Sequence, residues 1–433
     1  MQKQGKYAAS KAVSQSKIRG VAGRTVLIKN VEIPIKKAEP FISVTFGLEG
    51  TNLDHETLEL SYQTDGKTWQ IAQHAHDTDG ENPTRWVSEI LYLDKNLTKV
   101  TFKIVVKNDK TTLKKAGVNF FNPNLPASNT GGGAMLLRER GAVGCELPVA
   151  IPRTSWGSGR GLTDDFFGGT PLITVVSHLI VHHSAGPNTS PNWAATVASI
   201  FNFHTTPSPS GSGFSDIGYN YLIAPDGTLF VGRGGGKNVQ GAHYCGKNNN
   251  TMGVCLIGTY TNTAPSDTML RTLEKLLAWK CIDAKIKPVG QSQHPTAGLI
   301  NNIDGHRSGC ATECPGDQTF NLLSTVRTNV EKIVNPCLST SLVENLEKLT
   351  ALIMPNPTSG VLTIRFTDPL SIPAIFQLSD VNGRLIFQEK IGLNAPQSGD
   401  FILNLPHSIP NGLYVLHLSD GKRFLTEKIV VNH

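Results

Sequence analysis

Apolar and polar residues alternate with a period of two in both end portions of this chain of 433 residues. Between residues 25 and 108 the alternation runs through short segments such as FISVTFGLEG, TLELSYQT and KVTFKIVV, which Gly, Asp and Asn separate. It returns between residues 352 and 433 in GVLTIRF, GLYVLHLSD and RFLTEKIVV. Because successive side chains of a strand point to opposite faces of a sheet, the pattern predicts a β-rich N-terminal domain and a small C-terminal β-sandwich.

The middle portion, residues 146–335, contains strand runs and two segments whose apolar residues follow helical spacing. These residues are Trp193, Val197, Ile200 and Phe203 in the first segment, and Met269, Leu273, Leu276 and Leu277 in the second. We therefore predict an α/β domain with a central mixed β-sheet flanked by helices. Residues 109–145 and 336–351 are predicted to be linkers, and residues 1–24 a flexible leader.

Charge and hydropathy narrow the classes of partner. The net charge of +6 suits contact with a polyanionic surface such as a cell wall, but the sequence has neither a basic helix nor an RNA-binding signature, so nucleic acid is not expected as a partner. No segment approaches the roughly 18 consecutive apolar residues of a membrane span. The first residues, MQKQGKYAASKAVSQSKIRG, lack the apolar core of a signal peptide. If the chain is secreted, we expect its export signal to have been removed.

Two segments of the middle portion carry residues that can ligate a metal ion. His182 and His183 end the run HLIVHH, and adjacent side chains of a strand face opposite ways, so only one of them can enter a given site. The segment GHRSGCATECPGD adds His306 and Cys314. Two imidazoles and one thiolate leave the fourth position of a Zn²⁺ ion open, as in catalytic zinc sites. By spacing alone, structural histidines and a loop cysteine remain the alternative.

The order of the motifs resembles that of the peptidoglycan recognition protein and phage-lysozyme amidase family. IPRTSWG is similar to the family's opening and VHHSAG to its first metal motif. DIGYNYLIAPDGTLFVGR and GAHYCGKNNNTMGVCLIG are similar to its central strands, and GHRSGCATECPG to its closing metal motif. The resemblance implies a zinc-dependent N-acetylmuramoyl-L-alanine amidase, which hydrolyses the amide bond between N-acetylmuramic acid and L-alanine in peptidoglycan. A non-catalytic peptidoglycan receptor of the same fold is the alternative, although such members typically lack the metal cysteine.

The resemblance also implies roles for single residues. It implies Zn²⁺ as the cofactor, with His182, His306 and Cys314 as its ligands, and a packing or hydrogen-bonding role for His183. Tyr219 and Thr312 match positions that hydrogen-bond the zinc water or the developing oxyanion, although Tyr219 could also be a half-buried strand aromatic. Arg233, His243, Asn250 and Thr251 match positions that line the groove for muramyl peptides. For the last two, a solvated loop is the alternative. The proton donor to the leaving amine is not identified, and Glu313 is an available carboxylate.

Four of the seven cysteines are not part of the family's metal chemistry: Cys245, Cys255, Cys281 and Cys310. Cys310 lies four residues before Cys314 and could compete for the metal. We predict a disulfide between Cys281 and Cys310, which would tie the metal loop to the end of the preceding helix. Cys145 and Cys337 flank the middle portion and could close it. Buried reduced thiols are the alternative for all of them.

The last portion of the chain resembles the type A sorting domain of the type IX secretion system. The matching segments are PNPTSG (residues 355–360), LSDVNGRLIF, NGLYVLHLSDG and a closing KIVV. The resemblance implies that the type IX secretion machinery is a partner and that the protein is secreted to the cell surface or the extracellular space. A carbohydrate-binding module would show the same strand pattern, but this portion has no Trp for stacking on sugars.

Overall fold

The computed structural model describes residues 8–14, 18–19, 23–35, 37–53, 56–75, 84–126, 146–157, 161–342, 347–367, 374–380, 385–391, 400–420 and 423–433. The chain divides into two compact units, Met1–Cys337 and Leu338–His433. In these described ranges, no helix combines the length and the apolar character that crossing a membrane requires.

The N-terminal part of the first unit consists of strands. They are β1 (Ala8–Ser14), β2 (Ile18–Arg19), β3 (Thr25–Glu32), β4 (Ile42–Thr51), β5 (Leu58–Gln63), β6 (Gln70–Ala72), β7 (Arg85–Val87), β8 (Leu91–Leu93), β9 (Lys99–Val106) and β10 (Thr112–Phe121). One sheet has the order β1-β10-β4-β7, with β2 beside β10 and β8 beside β4, and the other has the order β3-β9-β5-β6. The two sheets share one apolar core, in which the rings of Phe46 and Phe102 lie 4.6 Å apart.

Three of these strands lie where the sequence predicts a leader and a linker. Strands β1 and β2 fall within residues 1–24, and β10 falls within residues 109–145. The last six residues of β10 are all buried, so they show no alternation from which a strand could be predicted. They are buried because Val118 and Phe120 face the core between the two sheets, whereas Phe121 faces the middle part of the chain.

The middle part is an α/β domain. Its elements are β11 (Ala150–Ile151), α1 (Arg153–Trp156), β12 (His178–His183), α2 (Trp193–Thr205), β13 (Tyr221–Ile223), β14 (Leu229–Val231), β15 (Thr251–Leu256), α3 (Asp267–Ala284), β16 (Gln291–His294), β17 (Gly298–Asn301), β18 (Ile303–Gly305) and α4 (Asp317–Leu342). Strands β16 and β17 pair with each other, and the other six form a sheet of order β11-β14-β13-β15-β12-β18. All its pairs are parallel except β13 with β14, which confirms the predicted mixed sheet. Helix α4 extends to Leu342, past the predicted start of the second linker.

The helices cover both faces of this sheet. Helices α3 and α4 share a core with Val181 and Val254, whereas α2 packs on the other face with Leu222 and Cys255. The outer side of α2 is covered by the N-terminal strands, because Phe41 and Phe121 belong to the same apolar cluster as Phe201 in α2. Helix α2 therefore lies between the mixed sheet and the N-terminal sheet.

The second unit contains two sheets. Its strands are β19 (Glu347–Lys348), β20 (Ala351–Met354), β21 (Val361–Phe366), β22 (Ala374–Asp380), β23 (Leu385–Ile391), β24 (Asp400–Asn404), β25 (Gly412–Ser419) and β26 (Arg423–Val431). The sheet orders are β19-β26-β25-β22-β23 and β20-β21-β24. Leu362 and Leu403 from the smaller sheet share a core with Phe376 and Leu416 from the larger one.

Candidate metal centre

Two neighbouring parallel strands bring the predicted histidine ligands to one edge of the mixed sheet. Val181 of β12 lies opposite Gly305 of β18, and His182 and His306 directly follow these two residues. Because the strands are parallel, both imidazoles lie at the carboxyl ends of their strands. The loop after β18 carries Cys314 to the same place. The ligand atoms of His182, His306 and Cys314, called the metal cluster below, all lie within 4.8 Å of one another.

The metal cluster fits a zinc ion. Ligand atoms on a tetrahedral zinc ion lie about 3.3–3.8 Å apart, and Cys314 Sγ lies 3.7 Å from His182 Nδ1. Cys314 Sγ also accepts a hydrogen bond of 3.3 Å from the backbone N–H of His183. His306 is buried, yet neither of its ring nitrogens has a hydrogen-bond partner among the described residues. A metal ion would satisfy one of these nitrogens.

Burial keeps the imidazoles of the metal cluster neutral. Loss of solvation, followed by the influence of His306, lowers the pKa of His182 well below its usual value. Loss of solvation, followed by the influence of His183, lowers the pKa of His306 to about 3. Because only the neutral imidazole can ligate a metal, both side chains are in the required protonation state at neutral pH.

A chain of hydrogen bonds determines which nitrogen of His182 is available. His182 Nε2 lies 2.9 Å from His243 Nδ1, His243 Nε2 lies 3.2 Å from Thr251 Oγ1, and Thr251 Oγ1 donates to the carbonyl oxygen of Asn248 over 2.8 Å. The carbonyl can only accept, so Thr251 donates to it and His243 Nε2–H donates to Thr251. His182 must then donate through Nε2–H, which leaves the lone pair of Nδ1 directed at Cys314. This is the tautomer that a metal ligand requires.

Tyr219 lies beside the metal cluster. Its ring centroid is 5.3 Å from that of His182 and 5.4 Å from that of His204 in α2. His204 Nδ1 accepts a hydrogen bond of 3.0 Å from the N–H of Gly218. Burial and then the nearby charge of Arg233 lower the pKa of His204 to about 3. The sequence offered no signal for His204, because α2 and the loop before β13 that carries Tyr219 meet only in the folded chain.

Comparison with known proteins identifies the family. Residues 173–317 match the family model for N-acetylmuramoyl-L-alanine amidase. Peptidoglycan-recognition protein SC2 of Drosophila melanogaster is 33% identical over 175 residues, which are 40% of this chain and 84% of that protein. The chain belongs to this amidase and peptidoglycan-recognition family. Residues 352–432 match the secretion system C-terminal sorting domain, so both predicted resemblances are confirmed.

Further members of the amidase and peptidoglycan-recognition family match the same part of the chain. The human N-acetylmuramoyl-L-alanine amidase is 32% identical over 189 residues, or 42% of this chain, and the matched part is 29% of the human protein. The chain thus spans under a third of that relative. Among solved structures, Drosophila PGRP-LB is 28% identical with a TM-score of 0.32, covering 40% of this chain and 91% of the other. Bumblebee PGRP-SA is 26% identical with a TM-score of 0.33, covering 41% and 96%.

The residues predicted to line the groove of this family domain occupy different environments. Arg233 donates to the carbonyl oxygen of Ile217 over 3.0 Å, and its guanidinium lies 4.9 Å from the Phe166 ring. His243 and Thr251 are buried in the hydrogen-bond chain behind His182. Their contact with a substrate stays a prediction. The contact of His243 with His182 was missed, because it depends on how the loop before β15 folds over the sheet.

Asn250 does not lie at the edge of the sheet that carries the metal cluster. It directly precedes β15, and its side chain donates to the carbonyl oxygen of Val175 over 2.9 Å. Strands β15 and β12 are parallel, with Thr251 opposite His178, so Asn250 lies at their amino ends. The contact of Asn250 with a muramyl peptide stays a prediction, at the other end of these strands from the metal cluster.

The loop that carries Cys314 also carries Thr312 and Glu313, the candidates from the sequence for hydrogen-bonding the oxyanion and for donating the proton, respectively. Thr312 Oγ1 accepts a hydrogen bond of 3.2 Å from the N–H of Cys314, so its hydroxyl lies next to the metal loop backbone. The side chain of Glu313 is exposed. The structure thus gives no support to Glu313 as the proton donor.

The disulfide of the metal loop differs from the prediction. Cys310 is bonded to Cys245, with 6.2 Å between their Cα atoms, and not to Cys281. Cys281 is a free, buried thiol of α3, whose pKa burial raises to about 12. Helix α3 packs on one face of the sheet, and sequence spacing could not reveal that the loop of His243 is the nearer partner. The predicted pairing of Cys145 with Cys337 lies outside the described residues, because Cys145 is not among them.

Proposed function

We propose that this chain is a secreted, zinc-dependent N-acetylmuramoyl-L-alanine amidase whose substrates are the muramyl peptides of peptidoglycan. The observation that carries the proposal is the metal cluster, in which two buried neutral imidazoles and one buried thiol converge at the edge of the sheet. A set of three protein ligands is typical of catalytic zinc, which keeps a fourth position for water or substrate.

His182, His306 and Cys314 would hold the zinc ion. Zinc bound there would supply a nucleophilic water at neutral pH and polarise the lactyl carbonyl of the muramic acid. His243 and Thr251 would keep the His182 ring in its ligating tautomer. Tyr219, beside His182, and Thr312, on the metal loop, would hydrogen-bond the oxyanion that develops on the carbonyl oxygen. Arg233 would contact the muramyl peptide.

The sorting domain supports a location outside the cell. Residues 352–432 match the secretion system C-terminal sorting domain. We propose that these residues are read by the type IX secretion machinery, which would deliver the chain to the cell surface or the extracellular space. An enzyme that cuts a cell wall needs such access to its polymeric substrate.

Digestion of purified peptidoglycan by the full chain tests the proposed activity. Products would be identified by mass spectrometry, with parallel samples containing a chelator, a chelator followed by zinc, or the Cys314→Ala variant. We expect stem peptides that begin with L-alanine, with release falling by at least about 100-fold for Cys314→Ala and with chelator, because the zinc site is lost. Zinc should restore the chelated sample.

Cys281→Ala is the matched control, because Cys281, like Cys314, is buried and forms no disulfide, but it packs in the apolar core on the α3 side of the sheet. It should retain zinc and activity. Tight binding to peptidoglycan without any released peptide, from protein shown to contain zinc, would contradict the proposal. That outcome would favour the alternative, a non-catalytic peptidoglycan-binding receptor.

A further inference from the structure

His306 belongs to two clusters of possible metal ligands. In addition to the metal cluster, His306 lies with Cys245 and Cys310 in a group whose ligand atoms are all within 4.8 Å of one another. In the structure the two cysteines form a disulfide and cannot ligate a metal. The second group becomes a ligand set only when this disulfide is reduced.

The ring of His306 can ligate a metal ion in only one of the two groups at a time. Both of its nitrogens are buried and lack a hydrogen-bond partner among the described residues. A neutral imidazole has one lone pair, so an ion in the metal cluster and an ion held by Cys245 and Cys310 would compete for it. An unsatisfied polar atom this deeply buried is rare in folded proteins, so its surroundings are expected to have a function.

The positions of the two cysteines suit a shared metal ion. With Zn–S bonds of about 2.3 Å, two sulfurs on a tetrahedral zinc ion lie about 3.8 Å apart. The Cα atoms of Cys245 and Cys310 are 6.2 Å apart, so rotation of the two side chains can open the sulfurs to that separation without moving the backbone. Lys247 Nζ holds the adjoining backbone, because it donates to the carbonyl oxygen of Gly309 over 2.5 Å.

The disulfide is also within reach of a reductant. Cys245 and Cys310 are both partly exposed, whereas Cys314 is completely buried. A thiol reductant can therefore attack the Cys245–Cys310 bond while the metal cluster stays shielded.

We propose that reduction of the Cys245–Cys310 disulfide opens a second metal site, made of Cys245, Cys310 and His306, which competes with the metal cluster for His306. In the reduction, a dithiol supplies two electrons and two protons. The S–S bond breaks, each cysteine sulfur gains a proton, and the dithiol becomes a disulfide. When a divalent ion binds, the two thiol protons pass to solvent.

The two sites would be favoured in different compartments. Disulfides persist outside the cell and are reduced in the cytosol. In the reduced chain, two thiolates with one imidazole form the softer ligand set and draw a zinc ion away from His182 and Cys314. This consequence rests on the proposed amidase activity: the enzyme would be inactive while reduced and would become active on oxidation after export.

Cobalt binding to the full chain carrying Cys314→Ser tests the second site. The protein would be kept oxidised, or reduced with a dithiol and desalted under argon, and then titrated with Co²⁺ while thiolate-to-cobalt absorption is recorded. We expect the reduced protein to bind one ion per chain with this absorption, and at least about 100-fold more tightly than the oxidised protein, because two thiolates become available. Cys255 and Cys281 are buried and form no disulfide, so they are thiols in both samples and do not contribute to the difference.

The control is the same chain with Cys245→Ser and Cys310→Ser added. Reduction also frees the thiol of Cys337, which is disulfide-bonded, and the control keeps that change, so it should gain no tight cobalt binding on reduction. Equal cobalt binding by the reduced protein and this control would overturn the proposal.

If circular dichroism shows that Cys314→Ser unfolds on reduction, the same cobalt titration is made on the unsubstituted chain. Its absorption per bound cobalt should rise about twofold on reduction, because two thiolates replace one, and an unchanged spectrum would overturn the proposal. Neither readout depends on hydrolysis, so failure here is distinguishable from failure of the proposed amidase activity.

Discussion

His182 is oriented by a chain of hydrogen bonds that ends on a backbone carbonyl. The chain runs through His243 and Thr251 to the carbonyl oxygen of Asn248, and each proton in it has only one possible position. The resemblance of the sequence to the family suggested that His243 lines the substrate groove. Its burial and its contact with His182 favour a positioning role, in which it stabilises the ligating tautomer.

Replacement of His243 tests this role. His243→Leu should weaken zinc binding by roughly 10- to 100-fold, because His182 Nε2–H loses its acceptor. His243→Gln should restore much of the affinity, because an amide can accept from His182 and donate to Thr251. Competition with a zinc-binding dye measures both. Unchanged zinc affinity in His243→Leu, together with a raised KM, would indicate that His243 lines the substrate groove and does not position His182.

The neutral state of His204 predicts a pH dependence of stability. Burial lowers its pKa from 6.5 to about 3 in the folded chain. Between these values the unfolded chain binds a proton that the folded chain does not, so His204 makes the free energy of unfolding rise with pH, by about 1 kcal/mol per pH unit. Its contribution is complete above pH 6.5 and is lost progressively as the pH falls towards 3. Urea unfolding of the metal-free protein between pH 4.5 and 7.5 should show a smaller slope for His204→Gln, and equal slopes would refute the assignment.

Helix α2 connects the metal centre to the N-terminal strands. Its inner side packs on the mixed sheet, and its outer side contacts Phe41 and Phe121. Asn192 caps its first turn, because the side-chain oxygen accepts a hydrogen bond of 3.1 Å from the N–H of Ala195. The amide nitrogen of the same side chain donates to the carbonyl oxygens of Leu125 and Pro126, which follow β10. One residue thus begins the helix and fastens it to the N-terminal part.

Two substitutions of Asn192 separate these contributions. Asn192→Asp keeps the capping oxygen but loses the two donated bonds, which should lower the free energy of unfolding by about 1–3 kcal/mol. Asn192→Ala loses the cap as well and should lower it by about 1 kcal/mol more. Ser266→Ala is the matched control, because Ser266 caps α3 without contacting the N-terminal strands. Urea denaturation measures the free energy of unfolding of all three variants. If Asn192→Asp is as stable as the wild type, the two donated bonds do not stabilise the fold.

The whole molecule consists of two units with separate cores. The first includes both the N-terminal strands and the α/β domain, and the second contains the sorting domain. The isolated α/β domain would expose the outer side of α2, which Phe41, Phe121 and Leu125 cover in the intact unit. The N-terminal strands are therefore part of the folded unit that carries the metal centre.

Truncation tests this division. Residues 146–337 alone should be less stable than residues 1–337 by at least about 4 kcal/mol, because burial of several large apolar side chains is lost. Removal of residues 338–433 should leave the Tm of the first unit unchanged. Calorimetry of the full chain and both fragments gives the comparison. A fragment of residues 146–337 as stable as residues 1–337 would show that the domains fold independently.

Local patterns account for what could be predicted before the fold was known. The strands of the two end portions and helices α2 and α3 follow from residue periodicity, and the ligand types follow from short motifs. Strand β10 escaped prediction, because a segment covered on both faces has no alternation. The sequence did not reveal that Asn250 lies at the other end of the sheet from the metal cluster, because this depends on the pairing of β15 with β12.

By itself, the sequence determined the family, many strands of the two end portions, helices α2 and α3, and the ligand types of the metal cluster, because each depends on short local patterns. Only the tertiary structure decided that Cys310 pairs with Cys245, that His243 supports His182, and that the N-terminal strands cover α2. These contacts join segments about 60 to 165 residues apart. They depend on the register of parallel strands and on which face of the sheet each helix covers, and local sequence patterns do not specify either.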